Sequence, residues 1–68
     1  MAENTYDVIE IVGVSDDSVQ QAVRNALKKA SQTLRHIDWF KVKGIRGLVN
    51  DKAEPVFQVT IELGFRLE

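Results

Sequence analysis

From Phe57 to Glu68 apolar and polar side chains alternate without a break, and this pattern constrains the fold more than any other in the chain. Phe57, Val59, Ile61, Leu63, Phe65 and Leu67 form one set, and Gln58, Thr60, Glu62, Gly64, Arg66 and Glu68 form the other. A period of two belongs to a β-strand with one buried and one wet face, because successive side chains point to opposite sides. Six apolar side chains, each stabilising by roughly 1.5 to 3 kcal/mol when buried, supply much of the gross burial available to a short chain. The pattern predicts a central strand, paired on both edges and covered by a second layer on its apolar side.

The rest of the sequence provides those neighbours. The stretch YDVIEIV, from Tyr6 to Val12, is β-branched and partly alternating, and predicts a first strand that Gly13 ends. Ser15, Asp16, Asp17 and Ser18 then offer hydroxyls and carboxylates to the unpaired N–H groups and positive dipole end of a starting helix. Beyond them Val19, Ala22, Val23, Ala26, Leu27, Ala30 and Leu34 recur at helical steps of three and four, while Gln21, Arg24, Asn25, Lys28 and Gln32 take the other side. The small Ala22, Ala26 and Ala30 let such a helix lie close on a sheet. From Arg35 to Val49 an extended stretch mixes aromatic, β-branched and charged residues, and Gly44 and Gly47 mark bends or bulges within one long strand. Asn50 to Pro55 carries turn residues, and Pro55 cannot donate to a ladder, so the chain reverses there. The fold class is α+β: a two-layer β-α-β-β unit whose three-stranded antiparallel sheet, in the order 1-3-2, packs on one helix. No internal repeat, low-complexity tract or linker interrupts it.

A chain of 68 residues has room for one domain, spanning 1–68. With no cysteine and one histidine it has neither a disulfide framework nor a tetrahedral zinc set. A domain this small buries only about 60% of the surface its unfolded chain exposes, which favours subunit association. Nine Lys and Arg against ten Asp and Glu give a formal charge of -1, which argues against general affinity for nucleic acid or an anionic membrane. No apolar run reaches the roughly 18 residues of a membrane span, and Met1 to Tyr6 lacks the basic start and apolar stretch of a signal peptide. The expected location is the cytoplasm.

Trp39 does not fit a purely structural reading. Phe40 and Val42 belong to the apolar face of the hairpin, which assigns Trp39, Lys41, Lys43 and Ile45 to the other face, where a single helix cannot cover them. An indole left in water forgoes several kcal/mol at about 25 cal/mol per Å². Trp39 is therefore either closed off by a loop or a neighbouring subunit, or it is a stacking platform for a planar ligand. Gln58 and Thr60 share that outward face, and a carboxamide offers both donor and acceptor to the edge of a heterocycle. With the reversal near Lys52, Trp39 lies level with roughly Arg66, so Gln58 is about eight residues, or some 27 Å, away at about 3.4 Å per residue. One subunit cannot bring both to one ring. The expected pocket lies between subunits, unless bending at Gly44 and Gly47 shortens the path.

Arg35, Lys41, Lys43 and Arg46 concentrate positive charge around the tryptophan, with only Asp38 among them. They form either a solvated face or a phosphate site. Arg46 is the best candidate for the second, because a guanidinium grips phosphate oxygens in a fork and the adjacent Gly47 allows close approach. His36 reads as an exposed strand residue. A lone histidine without Cys, Ser or a carboxylate motif makes no catalytic site, so the chain is expected not to be an enzyme.

Three segments carry a resemblance: YDVIEIVGVS at the start, ASQTLRHIDWFKVKGIRG in the middle and FQVTIELGFRLE at the end. Together they resemble the dodecins, small flavin-binding proteins built as hollow dodecamers from a β-α-β-β subunit. TLRHIDWF combined with GFRLE at this spacing is far more specific than any single residue pattern, and only the turn from Asn50 to Pro55 is nondescript. The resemblance implies that Trp39 matches the family tryptophan that stacks on the isoalloxazine ring, and Gln58 the glutamine that bonds the ring edge. In that family two flavins lie between the tryptophans of symmetry-related subunits. The arginines of the IRG and GFRLE segments, Arg46 and Arg66, are implied holders of an FMN phosphate. The implied cofactor is a flavin (FMN, riboflavin or FAD), coenzyme A is a further ligand of some members, and the implied partner is the chain itself, as a homododecamer. Storage or sequestration without turnover is the implied role, since an electron-rich indole stacked on a flavin drains its excited state and a closed shell limits its reaction with solvent and oxygen.

Other classes fare less well. A single-strand RNA reader stacks two or three bases on several exposed aromatics, whereas Phe40, Phe57 and Phe65 are assigned here to the buried face, leaving Trp39 and Tyr6. A flavoenzyme needs a substrate cavity and a proton donor or acceptor beside the ring. A structural oligomer in which Trp39 merely seals an interface, or a coenzyme A or nucleotide-binding module without flavin, is the remaining alternative.

Overall fold

The computed structural model of the chain describes residues 3–67; Met1, Ala2 and Glu68, the last outward position of the expected alternation, lie outside the described residues. Four elements follow in the order β1 (Tyr6–Ser15), α1 (Val19–Ala30), β2 (Ile37–Val49) and β3 (Pro55–Arg66). The strands form one sheet in the order β1-β3-β2, with both pairings antiparallel, as the sequence predicts.

The first strand does not stop at Gly13 but runs on to Ser15. Gly13 serves the helix instead: a β-carbon there would overlap the Ala22 carbonyl and the Ala26 side chain, so its absence lets α1 settle on β1. Ser18 is the N-cap, extended at φ -165° and ψ 164°, and its hydroxyl accepts from the Gln21 N–H at 2.9 Å. Buried Ser15 accepts from the Asp17 N–H at 2.9 Å, and Asn25 donates to the Val14 carbonyl at 3.0 Å, tying the helix to the strand. After Ala30 a further turn, with the Leu34 N–H bonded to the Ala30 carbonyl at 2.9 Å, keeps Leu34 packed against the core.

His36 is not a strand residue. It sits in the left-handed region at φ 62° and redirects the chain, so β2 begins at Ile37 rather than at Arg35. At the other end the Asn50 side chain accepts from the N–H groups of Lys52 at 2.9 Å and Glu54 at 3.0 Å, while Ala53 takes φ 62°. Pro55 then opens β3, the strand position where a missing N–H is best tolerated.

Val59, Ile61 and Leu63 on β3 are fully buried with Ala22, and Ala26 joins them. This is the predicted central strand under small helix residues. The helix packs on β1 and β3. Its twelve residues span about 18 Å, whereas the thirteen of β2 span about 43 Å, so much of the hairpin has no second layer. Phe40 and Val42 do lie on the helix side of the sheet, but uncovered: they remain 46% and 42% exposed. Among the described residues no helix is long and apolar enough to cross a membrane.

Candidate functional site

Residues paired across antiparallel strands share a face, so the register assigns each side chain to a side. Two irregularities in β2 decide the outcome. One lies between the pairs Ile37↔Phe65 and Trp39↔Gly64 and makes Asp38 the extra residue; the other lies between Val42↔Ile61 and Gly44↔Thr60 and makes Lys43 extra. A bulge of this kind shifts the alternation by one step. Past Lys43 it turns Ile45, paired with buried Val59, to the helix side and turns Arg46, paired with Gln58, to the open side. The uniform alternation read from sequence assigned Ile45 to the open face, and the bulge corrects it. Gly44, paired with Thr60 on the open side, and Gly47, next to Arg46, both leave clear space, with nothing within 4 Å of a β-carbon placed on either.

Trp39 lies on the open face, opposite the helix. It pairs with Gly64, and its indole occupies the space a Gly64 β-carbon would take, through Cε2, Cζ2 and Nε1. Tyr6 packs T-shaped against it, with ring centroids 6.1 Å apart and planes at 65°. With the sheet beneath and Tyr6 alongside, the indole keeps 38% exposure on the face where the described residues form no second layer.

Beside it the bulged Asp38 gathers a polar cluster. The Asp38 Oδ2 accepts from the Tyr6 hydroxyl at 3.0 Å and lies 3.1 Å from the Arg66 Nε. An Arg66 terminal nitrogen lies 3.3 Å from the His36 Nδ1, and the Arg66 N–H donates to the His36 carbonyl at 3.0 Å. Arg66 is thus engaged with Asp38 at the tryptophan end of the sheet.

Gln58 and Arg46 lie at the other end, with Val12, Gly44 and Thr60 around a shallow depression on the open face. Lys43 and Glu62 form an ion pair at 3.2 Å between the two groups. The pairing of Trp39 with Gly64, rather than with the neighbourhood of Arg66, shortens the expected path to Gln58 from eight residues to six. At about 3.4 Å per residue that is still roughly 20 Å, too far for one heterocycle to touch both in a single chain. Of the four residues singled out in the sequence, Trp39 and Arg66 come together at one end, Arg46 and Gln58 at the other. Among the described residues no three His, Cys, Asp or Glu side chains gather where they could hold a metal ion.

The family profile described as Dodecin matches residues 5–68. The chain belongs to the dodecin family. Its sequence is 46% identical over 63 residues to the dodecin of Thermus thermophilus, covering 93% of this chain and 91% of that protein. The solved dodecin of Streptomyces coelicolor shares 54% identity and superposes with a TM-score of 0.91 over 100% of this chain and 97% of its own. A variant of the T. thermophilus dodecin in which a tryptophan is replaced by phenylalanine superposes at 0.89, with 42% identity, over 97% of this chain and 98% of its own. The β-α-β-β fold is thus the dodecin fold, and membership makes the chain a small protein of the flavin-binding type.

Two features of the site escaped the sequence reading. Asp38 stood out as the lone acid among cations, but only the bulge shows that it reaches Tyr6 and Arg66. Gly64 appeared as one more outward position of the alternation, and its role as the floor under Trp39 needed the register.

Proposed function

We propose that the chain binds a flavin (FMN, riboflavin or FAD) in pockets between subunits of a homododecamer, and that it stores or sequesters the flavin without turnover. The observation that carries this reading is the placement of Trp39: an indole seated on Gly64, edged by Tyr6 and open on the side that has no second layer. Such a surface is stable when a planar guest and a second chain close it. The roughly 20 Å between Trp39 and Gln58 supports a pocket completed by a neighbour, with Trp39 stacking on the ring of the isoalloxazine and Gln58 bonding its edge. Arg46, on the Gln58 face with clearance at Gly44, takes the phosphate of FMN, and Arg66, held against Asp38 at the tryptophan end, is the second proposed holder.

Replacing the platform tests the reading. Trp39→Ala is expected to keep the mass of the native assembly and lose flavin binding. Flavin binding unchanged in that variant contradicts the proposal, and dissociation into monomers assigns Trp39 to sealing the interface instead.

A further inference from the structure

Resting on the flavin reading of Trp39, we infer that Tyr6 and Asp38 are positioning residues that hold the indole flat on Gly64 before any ligand arrives. Three strands converge at this point. Tyr6 on β1 and Arg66 on β3 are register partners, and Asp38 is the extra residue of β2 that brings a carboxylate to both. One oxygen, Asp38 Oδ2, takes the Tyr6 hydroxyl at 3.0 Å and faces the Arg66 Nε at 3.1 Å. A charged acceptor, itself held beside a guanidinium on the neighbouring strand, fixes the phenol more firmly than a neutral bond does. The phenol ring in turn packs T-shaped against the indole, 6.1 Å between centroids and 65° between planes. Gly64 blocks movement of the indole into the sheet and Tyr6 blocks rotation toward β1.

A stacking platform gains affinity when its rotamer is fixed in advance, because the ordering cost is no longer met on binding. Tyr6 packs T-shaped against the indole and lies on the same face of the sheet, so it also sets how far a stacked ring extends toward β1. Asp38 acts through Tyr6 and not on the ligand.

Trp39 is the single tryptophan of the chain, so its own emission reports its motion. The experiment compares the flavin-free native assembly with Tyr6→Ala, Tyr6→Phe and Asp38→Ala, by time-resolved anisotropy of Trp39 and by riboflavin titration. Tyr6→Ala and Asp38→Ala are expected to quicken the local anisotropy decay and weaken riboflavin binding about tenfold, with Tyr6→Phe recovering part of both because it keeps the ring edge. Unchanged Trp39 motion in Tyr6→Ala and Asp38→Ala overturns the inference, as does weaker binding without added motion. If the native protein binds no riboflavin, the flavin reading fails, while the anisotropy still decides whether the two residues hold the indole.

Discussion

The indole of Trp39 lies where a β-carbon of Gly64 would be. Gly64 is buried and sits within β3 without a positive φ, so its lack of a side chain is required by the ring above it and not by the backbone. Gly64→Ala is therefore expected to leave the strand paired and lift the indole from the sheet. Riboflavin binding should weaken by at least about tenfold, some 1.4 kcal/mol, in a fluorescence titration, with the far-ultraviolet circular dichroism unchanged.

Gly13 makes the same kind of demand on the other side of the sheet. A methyl group there meets the Ala22 carbonyl and Ala26, so Gly13→Ala pushes α1 away from β1. The expected loss is about 1–3 kcal/mol of stability by denaturant titration, the usual consequence of overpacking. Because Trp39 lies on the opposite face, riboflavin affinity of the folded assembly should change little.

The sequence made the fold legible because its strongest patterns report burial. The alternation from Phe57 onward marks the central strand, and Ala22 and Ala26 mark the face that meets it. Gly13 misled, since a glycine that admits a helix looks like one that ends a strand. Gly44 marked the second irregularity, which falls between Val42 and Gly44, but the bulge at Asp38 carried no such sign: an extra residue in one strand is defined only by its partner, and the turn from Asn50 to Pro55 does not fix the register so far away. One inserted residue exchanged the faces of Ile45 and Arg46 and joined Arg46 to Gln58. Trp39 and Gln58 could be singled out because their chemistry is conspicuous on a face no helix covers; Tyr6 and Asp38 depend on contacts across three strands.

Arg46 faces the side of Gln58, beside the clearance at Gly44. If it grips a phosphate, its loss separates two flavins that differ only in that group. Arg46→Ala should weaken FMN binding by about tenfold or more and leave riboflavin binding nearly unchanged, since a charge-assisted hydrogen bond contributes roughly 1.5–3 kcal/mol. Equal losses for the two ligands would place Arg46 in the architecture of the pocket instead.

On the helix side, Phe40 and Val42 are uncovered and border a groove with Val23 and Leu27 of α1. A dodecamer of such chains needs apolar surface to bury, and this is a contiguous piece of it. Phe40→Asp is expected to shift the assembly toward smaller species in light scattering at micromolar protein, with flavin binding lost in the dissociated fraction.

In the proposed assembly two or more chains enclose a flavin against Trp39. Riboflavin emission, followed as native assembly is added, tests it most directly. Near-complete quenching that levels off close to one flavin per subunit is expected. Emission that stays fully bright at excess protein would contradict it.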